Sequence, residues 1–105
     1  MALSPLTAEQ RADALAKAAD ARRIRAEVKS ELKRGIGSVA KVIERSRNDD
    51  ALSKLRVSAL LESLPGVGKV RAAQIMEDIG IAPTRRLRGL GTHQVAALVE
   101  RFDNP

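Results

Sequence analysis

Apolar residues recur along this chain at spacings of three and four, which is the period of an amphipathic α-helix. Val, Ile, Thr and aromatic residues do not gather in alternating runs, so no β-strand is expected. No internal repeat and no low-complexity segment interrupts the pattern. We therefore predict an all-α fold in which a long N-terminal helix packs on a compact helical core.

The first predicted helix spans 7–34. Thr7 and Gln10 form a capping-box signature at its start, and Gly35 stops it. At 1.5 Å of rise per residue, such a helix is about 40 Å long. Ile24, Val28 and Leu32 lie in its second half, whereas the residues before Ala21 offer mainly alanines and Leu15. The first turns are therefore expected to dock weakly and to act as a mobile arm.

The core is predicted over 38–105. Short helices are expected after Ser38 and after the polar residues 48–50. Three longer helical segments follow, and Gly80 with Pro83 beyond it is typical of a left-handed helix end. The predicted starts of these segments are Ser58, Val67 and Thr92. We expect residues 1–105 to form a single domain, because a chain of this length suits one modest core.

The charge balance indicates a polyanionic partner. Lys and Arg total 19 against 13 Asp and Glu, which gives a net charge of +6 at pH 7. No apolar run approaches the roughly 20 residues of a membrane span and no signal peptide is visible, so we expect a cytoplasmic protein without a membrane partner. Phe102 is the one aromatic residue. Because a surface that stacks unpaired bases needs several rings, duplex nucleic acid is favoured.

Composition also argues against metal and cofactor chemistry. The chain has no cysteine and one histidine, His93, which excludes thiolate zinc sites and imidazole-rich metal sites. His93 has no neighbours in sequence that suggest a catalytic triad. We therefore expect no catalytic residue, no metal, no cofactor and no small-molecule substrate.

The segment Leu64-Pro65-Gly66-Val67-Gly68-Lys69 is the most informative motif. Its Gly-x-Gly stands between two helical patterns, which excludes the strand-to-helix turn of a dinucleotide-binding fold. Glycines allow a tight left-handed turn, and the free N–H groups of the next helix then point outward with the positive end of the helix dipole. Such a corner suits a phosphate oxygen, although the glycines alone fit a ligand-free interhelical turn equally well.

Charge favours the phosphate interpretation. Lys69 and Arg71 lie in the first turn of that helix, where a cation opposes the dipole by about 0.3–1 kcal/mol, and a bound anion explains both. Three arginines follow in the connection 84–91, and arginine suits phosphate and minor-groove contact. Pro65 is a candidate wedge between base steps or simply a helix stop. The predicted DNA-binding residues here are Pro65, Gly66, Gly68, Lys69, Arg71, Arg85, Arg86 and Arg88.

A second DNA-contacting surface is predicted on the first helix. At about 100° per residue, five basic residues fall within about 60° of one line, while the acidic residues gather on another face. The five have no acid three or four positions away, so they are expected to be free for phosphate, with a solvated face as the alternative. These five are Arg11, Arg22, Arg25, Lys29 and Lys33. The ion pairs expected beside them are Asp13 with Lys17, Asp20 with Arg23, and Glu31 with Arg34.

The same segments resemble known families. Leu64-Pro65-Gly66-Val67-Gly68, with Ala72 and Ile75 downstream, resembles the helix-hairpin-helix motif, which implies DNA-backbone binding without sequence readout. The region of about 58–102 resembles the helix-two-turns-helix module of a small-subunit ribosomal protein. The whole chain is similar to the actinobacterial, mycobacterial-type integration host factor family. The similar segments include Met1-Ala2-Leu3, Ala21-Arg22-Arg23, Leu32-Lys33-Arg34-Gly35 and Ile81 to Gly91.

The helix-hairpin-helix resemblance also raises the question of catalysis. In DNA glycosylases with this motif, a catalytic lysine stands two residues after the second glycine and an aspartate follows downstream. Here that position is Val70, and the downstream region holds the arginines of 85–88 instead. The resemblance therefore implies no enzyme.

Together, these observations predict a nucleoid-associated protein that binds double-stranded DNA through the phosphate backbone and minor groove with little sequence specificity. The family resemblance implies an effect on DNA shape and on site-specific recombination, with recombinases or other nucleoid proteins as candidate partners. A ribosomal-type protein that binds structured RNA and a helical protein-interaction module are the alternatives. The first lacks its expected long basic tail, and the second leaves Lys69 and Arg71 unexplained.

Overall fold

The computed structural model describes residues 5–103, and its regular structure is helical. The outermost residues of the predicted domain, 1–4 and 104–105, and with them the similar segment Met1-Ala2-Leu3, lie outside this range. The predicted all-α class is confirmed. The helices are α1 (Ala8–Lys33), α2 (Val39–Ser46), α3 (Asp50–Ser53), α4 (Val57–Glu62), α5 (Lys69–Ile79) and α6 (Thr92–Asp103), with a 3₁₀ turn at Leu87–Gly89.

The long helix α1 begins and ends where its capping residues predict. The Gln10 N–H donates to the Thr7 hydroxyl at 3.0 Å, and the Thr7 N–H donates to the Gln10 side-chain oxygen at 2.9 Å. Val28 and Leu32 are buried, and α1 packs on α3. The residues of α1 before Ala18 are all exposed, so the weak docking expected for the first turns is observed.

The core lies among α2, α3, α4, α5 and α6, with Val28 and Leu32 of α1 packed into it. α2 packs on α3 and α6, and α4 packs on α5. The apolar stripes predicted for these helices face this core. Its most deeply buried large side chains are Leu52, Leu60, Leu61, Ile75 and Leu98.

Two helix starts differ from the predicted ones. α4 begins at Val57, one residue before Ser58, and α5 begins at Lys69, two residues after Val67. The second difference arises because Val67 is buried and its N–H donates to the Leu64 carbonyl, so the chain completes a turn before the helix starts. The left-handed end predicted at Gly80 is observed, with φ of 88°.

A carboxylate of the last helix caps the start of α2. The N–H groups of Val39 and Ala40 donate to the two carboxylate oxygens of Asp103 at 3.0 and 2.8 Å. These N–H groups lie at the start of α2 and have no partner within their own helix. The end of α6 is thereby fixed to the start of α2.

Candidate nucleic-acid interface

The hairpin between α4 and α5 exposes backbone at its tip. Gly66 has φ of 78°, a left-handed conformation that other residues adopt at a cost. Gly68 is extended and precedes the first residue of α5. A Cβ at Gly68 would meet no protein atom within 4 Å, so its backbone is open to a close approach from outside.

The N-terminus of α5 is without a cap from the protein. No side chain caps it, and its first turn carries no acidic residue. The first amide with a backbone partner is that of Ala72, which donates to the Gly68 carbonyl at 2.9 Å. The N–H groups of Lys69, Val70 and Arg71 therefore remain free within residues 5–103, at the positive end of the helix dipole.

The predicted cations stand beside these free amides. Lys69 and Arg71 are exposed in the first turn of α5, and Pro65 is exposed at the hairpin tip. Lys69 also lines a groove of about 320 Å³ together with Ser58 and Pro83. The hairpin and the residue just before the arginine-containing connection therefore border the same groove.

The connection between α5 and α6 is pinned to the corner that precedes α4. The Val57 N–H donates to the Arg85 carbonyl at 3.0 Å, and the Leu87 N–H donates to the Leu55 carbonyl at 2.9 Å. These bonds pair the backbone of Arg56 with that of Arg86 in an antiparallel bridge. Arg56 is exposed, and its backbone pairing with Arg86 places it beside the arginines of the connection. Sequence analysis missed it, because about thirty residues separate it from the connection and no local pattern marks the pairing.

The three arginines of the connection are not equivalent. The Arg85 guanidinium donates to the Gly89 carbonyl at 2.6 Å, and that of Arg86 donates to the Lys54 carbonyl at 2.8 Å. Both side chains are half-buried, whereas Arg88 is exposed. Two of the predicted DNA-binding arginines therefore also hold the connection in place.

The basic surface predicted on α1 is present with one correction. Arg11, Arg22, Lys29 and Lys33 are exposed. Arg25 is half-buried, and its guanidinium donates to the Ala51 carbonyl of α3 at 3.3 Å. The expectation that all five bases are free of protein partners is wrong for Arg25, because α1 docks on α3 at that turn.

The expected ion pairs of α1 form in one case of three. Arg23 pairs with Asp20 at 3.4 Å and also with Glu27 at 3.1 Å. The hydrogen bonds that Arg23 donates to Glu27 first, and then to Asp20, raise the pKa of Arg23. The other two expected pairs do not form within residues 5–103, and Arg34 donates to the Ser30 carbonyl instead.

The C-terminal end of α1 lies close to the hairpin. Gly35 and Leu32 at the end of α1 line a cleft of about 280 Å³ together with Leu64 and Pro65 of the hairpin. Lys33 is the last residue of α1, so the stripe extends from this end of the helix toward Arg11 at the other end.

Other site types find no support in the described part of the chain. Residues 5–103 contain no group of three or more His, Cys, Asp or Glu side chains that could hold a metal ion. None of their helices combines the length and the apolar content that crossing a membrane requires. His93 is exposed in the first turn of α6.

Comparison with known proteins identifies the family. Residues 32–102 match the S13-like H2TH domain. The chain is 61% identical to the integration host factor of Streptomyces coelicolor, over 97% of this chain and 95% of that protein. It is 59% identical to the integration host factor of Mycobacterium tuberculosis, over 97% of each. A solved structure of sIHF bound to an 8-base-pair palindromic DNA is 58% identical with a TM-score of 0.80, over 82% of this chain and 97% of that chain. This chain belongs to the actinobacterial integration host factor family and carries its S13-like H2TH domain.

Proposed function

We propose that this protein is a nucleoid-associated architectural protein that binds double-stranded DNA through the phosphate backbone and the minor groove. The main support for the proposal is the uncapped start of α5. There the backbone N–H groups of Lys69, Val70 and Arg71 are free, two of these residues are basic, and the turn has no acid. Such a helix start binds anions, and phosphate is the anion that a duplex repeats. The DNA-bound structure of the relative sIHF supports the proposal.

The proposed DNA-binding residues form two surfaces within a single domain of 105 residues. The module at about 58–102 supplies the first surface and the arm at 7–34 supplies the second. We call the first the hairpin surface: Pro65, Gly66, Gly68, Lys69, Arg71, Arg85, Arg86 and Arg88, with Arg56 added from the structure. We call the second the α1 surface: Arg11, Arg22, Arg25, Lys29 and Lys33.

The chemistry of both surfaces favours binding with little sequence specificity. Backbone N–H groups and exposed cations contact phosphates, which position a protein on a duplex but carry no base sequence. Any preference among DNA sequences then arises from how easily each sequence deforms. By deforming the duplex, a protein of this kind affects DNA shape and site-specific recombination. The proposal assigns no catalytic step to any residue, and a nucleoid location follows from DNA as the partner.

A competition experiment tests the proposal. Fluorescence anisotropy compares a DNA duplex, an RNA duplex of the same sequence and single-stranded DNA at one salt concentration. We expect the DNA duplex to bind most tightly. If Lys69, Arg71 and the arginines 85, 86 and 88 each neutralise a phosphate, these five residues alone contribute about −4 to −5 to the log–log salt slope. Tighter binding of the RNA duplex, or a slope near zero, overturns the proposal.

Matched charge-removing variants locate the contact. Replacing Lys69 and Arg71 with Gln is expected to reduce the magnitude of the salt slope by about 2, because two phosphate contacts are lost. The control replaces Lys17 and Lys41 with Gln, since both are exposed on α1 and α2 and lie outside the residues of the two surfaces. Equal effects of the two double variants would mean that only net charge matters and that the hairpin is not the site.

A further inference from the structure

Val70 is the most exposed large apolar side chain in the described part of the chain, with 83% of its surface accessible. It is the second residue of α5 and lies between Lys69 and Arg71. Single exposed apolar residues are common on protein surfaces, so exposure alone assigns Val70 no role. The direction of the Val70 side chain and the charges beside it are what suggest a role.

Val70 points directly away from the core. The buried residues of α5 are Ala72, Ile75 and Met76. At about 100° per residue, Val70 lies within about 20° of the direction opposite to their mean. Lys69 and Arg71 stand about 100° to either side of it. The valine therefore projects between two cations at the free end of the helix.

The charges along α5 restrict where a polyanion can approach. Glu77 is exposed near the end of the helix, as is Asp78, which pairs with Arg101 at 3.9 Å, whereas the first turn has no acid. A duplex is therefore attracted to the first turn and repelled from the last. Because a helical Cα–Cβ bond tilts toward the N-terminus, the Val70 side chain leans toward the free N–H groups of its own turn. One nucleotide at the start of α5 could therefore reach both the free N–H groups and the Val70 side chain.

We propose that Val70 packs against the sugar next to the phosphate held at the start of α5, and that this contact makes the protein prefer DNA over RNA. The inference rests on the proposed function. The C2′ atom of deoxyribose is a CH₂ group, which packs favourably against the two methyl groups of valine. Ribose carries a hydroxyl there, and valine offers it neither donor nor acceptor once water is displaced.

Two variants test this role. Val70→Ala removes the methyl groups, and Val70→Thr replaces one with a hydroxyl at nearly the same volume. Affinities are measured for a DNA duplex and an RNA duplex of the same sequence. We expect Val70→Ala to weaken DNA binding by about fourfold for each methyl group that leaves contact, with little change for RNA. Val70→Thr is expected to lower the DNA-to-RNA affinity ratio as well, because its hydroxyl can bond the 2′-hydroxyl. The salt slope stays constant, since no charge changes.

Further measurements separate this inference from the function on which it rests. Leu6→Ala is the control, because Leu6 is exposed outside both surfaces and its loss is expected to leave both affinities unchanged. Circular dichroism checks that every variant stays helical. If the unaltered protein fails to bind duplex DNA, the proposed function itself fails. If it binds DNA but neither Val70 variant changes the affinity ratio, only the role of Val70 is overturned.

Discussion

Single arginines that look alike in the sequence have different surroundings in the fold. Arg86 donates to the Lys54 carbonyl, and Arg85 donates to the Gly89 carbonyl within its own loop. Arg88, in the same loop, is exposed. We expect Arg86→Ala to lower the free energy of unfolding by about 1 kcal/mol, because a hydrogen bond between two segments is lost. Arg88→Ala is expected to leave stability unchanged and to weaken DNA binding. Urea unfolding and a binding titration on each variant make the comparison.

The control for this pair is Arg86→Lys. It keeps the charge but cannot keep the geometry of the guanidinium bond, so it is expected to lose stability while largely retaining the salt slope. Equal stability of Arg86→Ala and Arg88→Ala would show that the bond to Lys54 contributes nothing to the fold.

At the scale of helices, the contact between Asp103 and the start of α2 joins two ends of the core. Asp103→Ala leaves the N–H groups of Val39 and Ala40 without their acceptor, so we expect unfolding to become about 1–2 kcal/mol easier. Asp103→Asn retains one acceptor oxygen and is expected to lose less. Thermal or urea unfolding measures both. A loss equal to that of an exposed control such as Glu100→Ala would contradict the role of this contact.

The helix α1 is expected to be unequally stable along its length. Its residues before Ala18 are exposed and Leu15 has 69% of its surface accessible, whereas Val28 and Leu32 are buried. With little apolar area holding the first turns, amides near Ala12 are expected to exchange hydrogen at least about tenfold faster than those near Val28. Hydrogen-exchange NMR on the free protein gives both rates. Equal protection along α1 would exclude a mobile arm.

At the scale of the whole molecule, the two basic surfaces can hold two stretches of one duplex. The molecule is 52 Å long, and the α1 surface extends from the end of α1 close to the hairpin toward Arg11 at the other end. Contacts that are not in line require the duplex to bend, which costs on the order of 1–6 kcal/mol for 40–90° over 20–30 base pairs. We expect the double variant Arg22→Glu, Lys29→Glu to bind DNA more weakly through the hairpin alone and to lose bending. Energy transfer between the labelled ends of a short duplex reports the bend.

A variant with the same change in charge provides the control. Lys17→Glu, Arg34→Glu reverses one base of α1 and the base that follows its last residue. Both lie off the stripe, so bending at saturating protein is expected to persist. If the Arg22, Lys29 variant still brings the duplex ends together at saturation, the α1 surface is only a solvated face. Arg25 is left unchanged in both, because its bond to Ala51 makes it part of the packing of α1 on α3.

Features that depend on neighbouring residues were predictable from the sequence. The capping box of Thr7 and Gln10, the left-handed end at Gly80 and the all-α class follow from residues a few positions apart, because helix period and capping are local. The hairpin motif was found for the same reason, since its glycines and its cations are contiguous.

Tertiary structure alone decided which polar side chains form hydrogen bonds to distant segments and which remain exposed. The partners of Arg25, Arg86 and Asp103 lie 26, 32 and 63–64 residues away, so no local pattern announces them. The same holds for Arg56, which reaches the arginine connection only through backbone pairing with Arg86. The sequence by itself determined the helices and the chemistry at their ends. The path of the folded chain determined the partners, because a hydrogen bond between distant segments exists only after packing has brought them together.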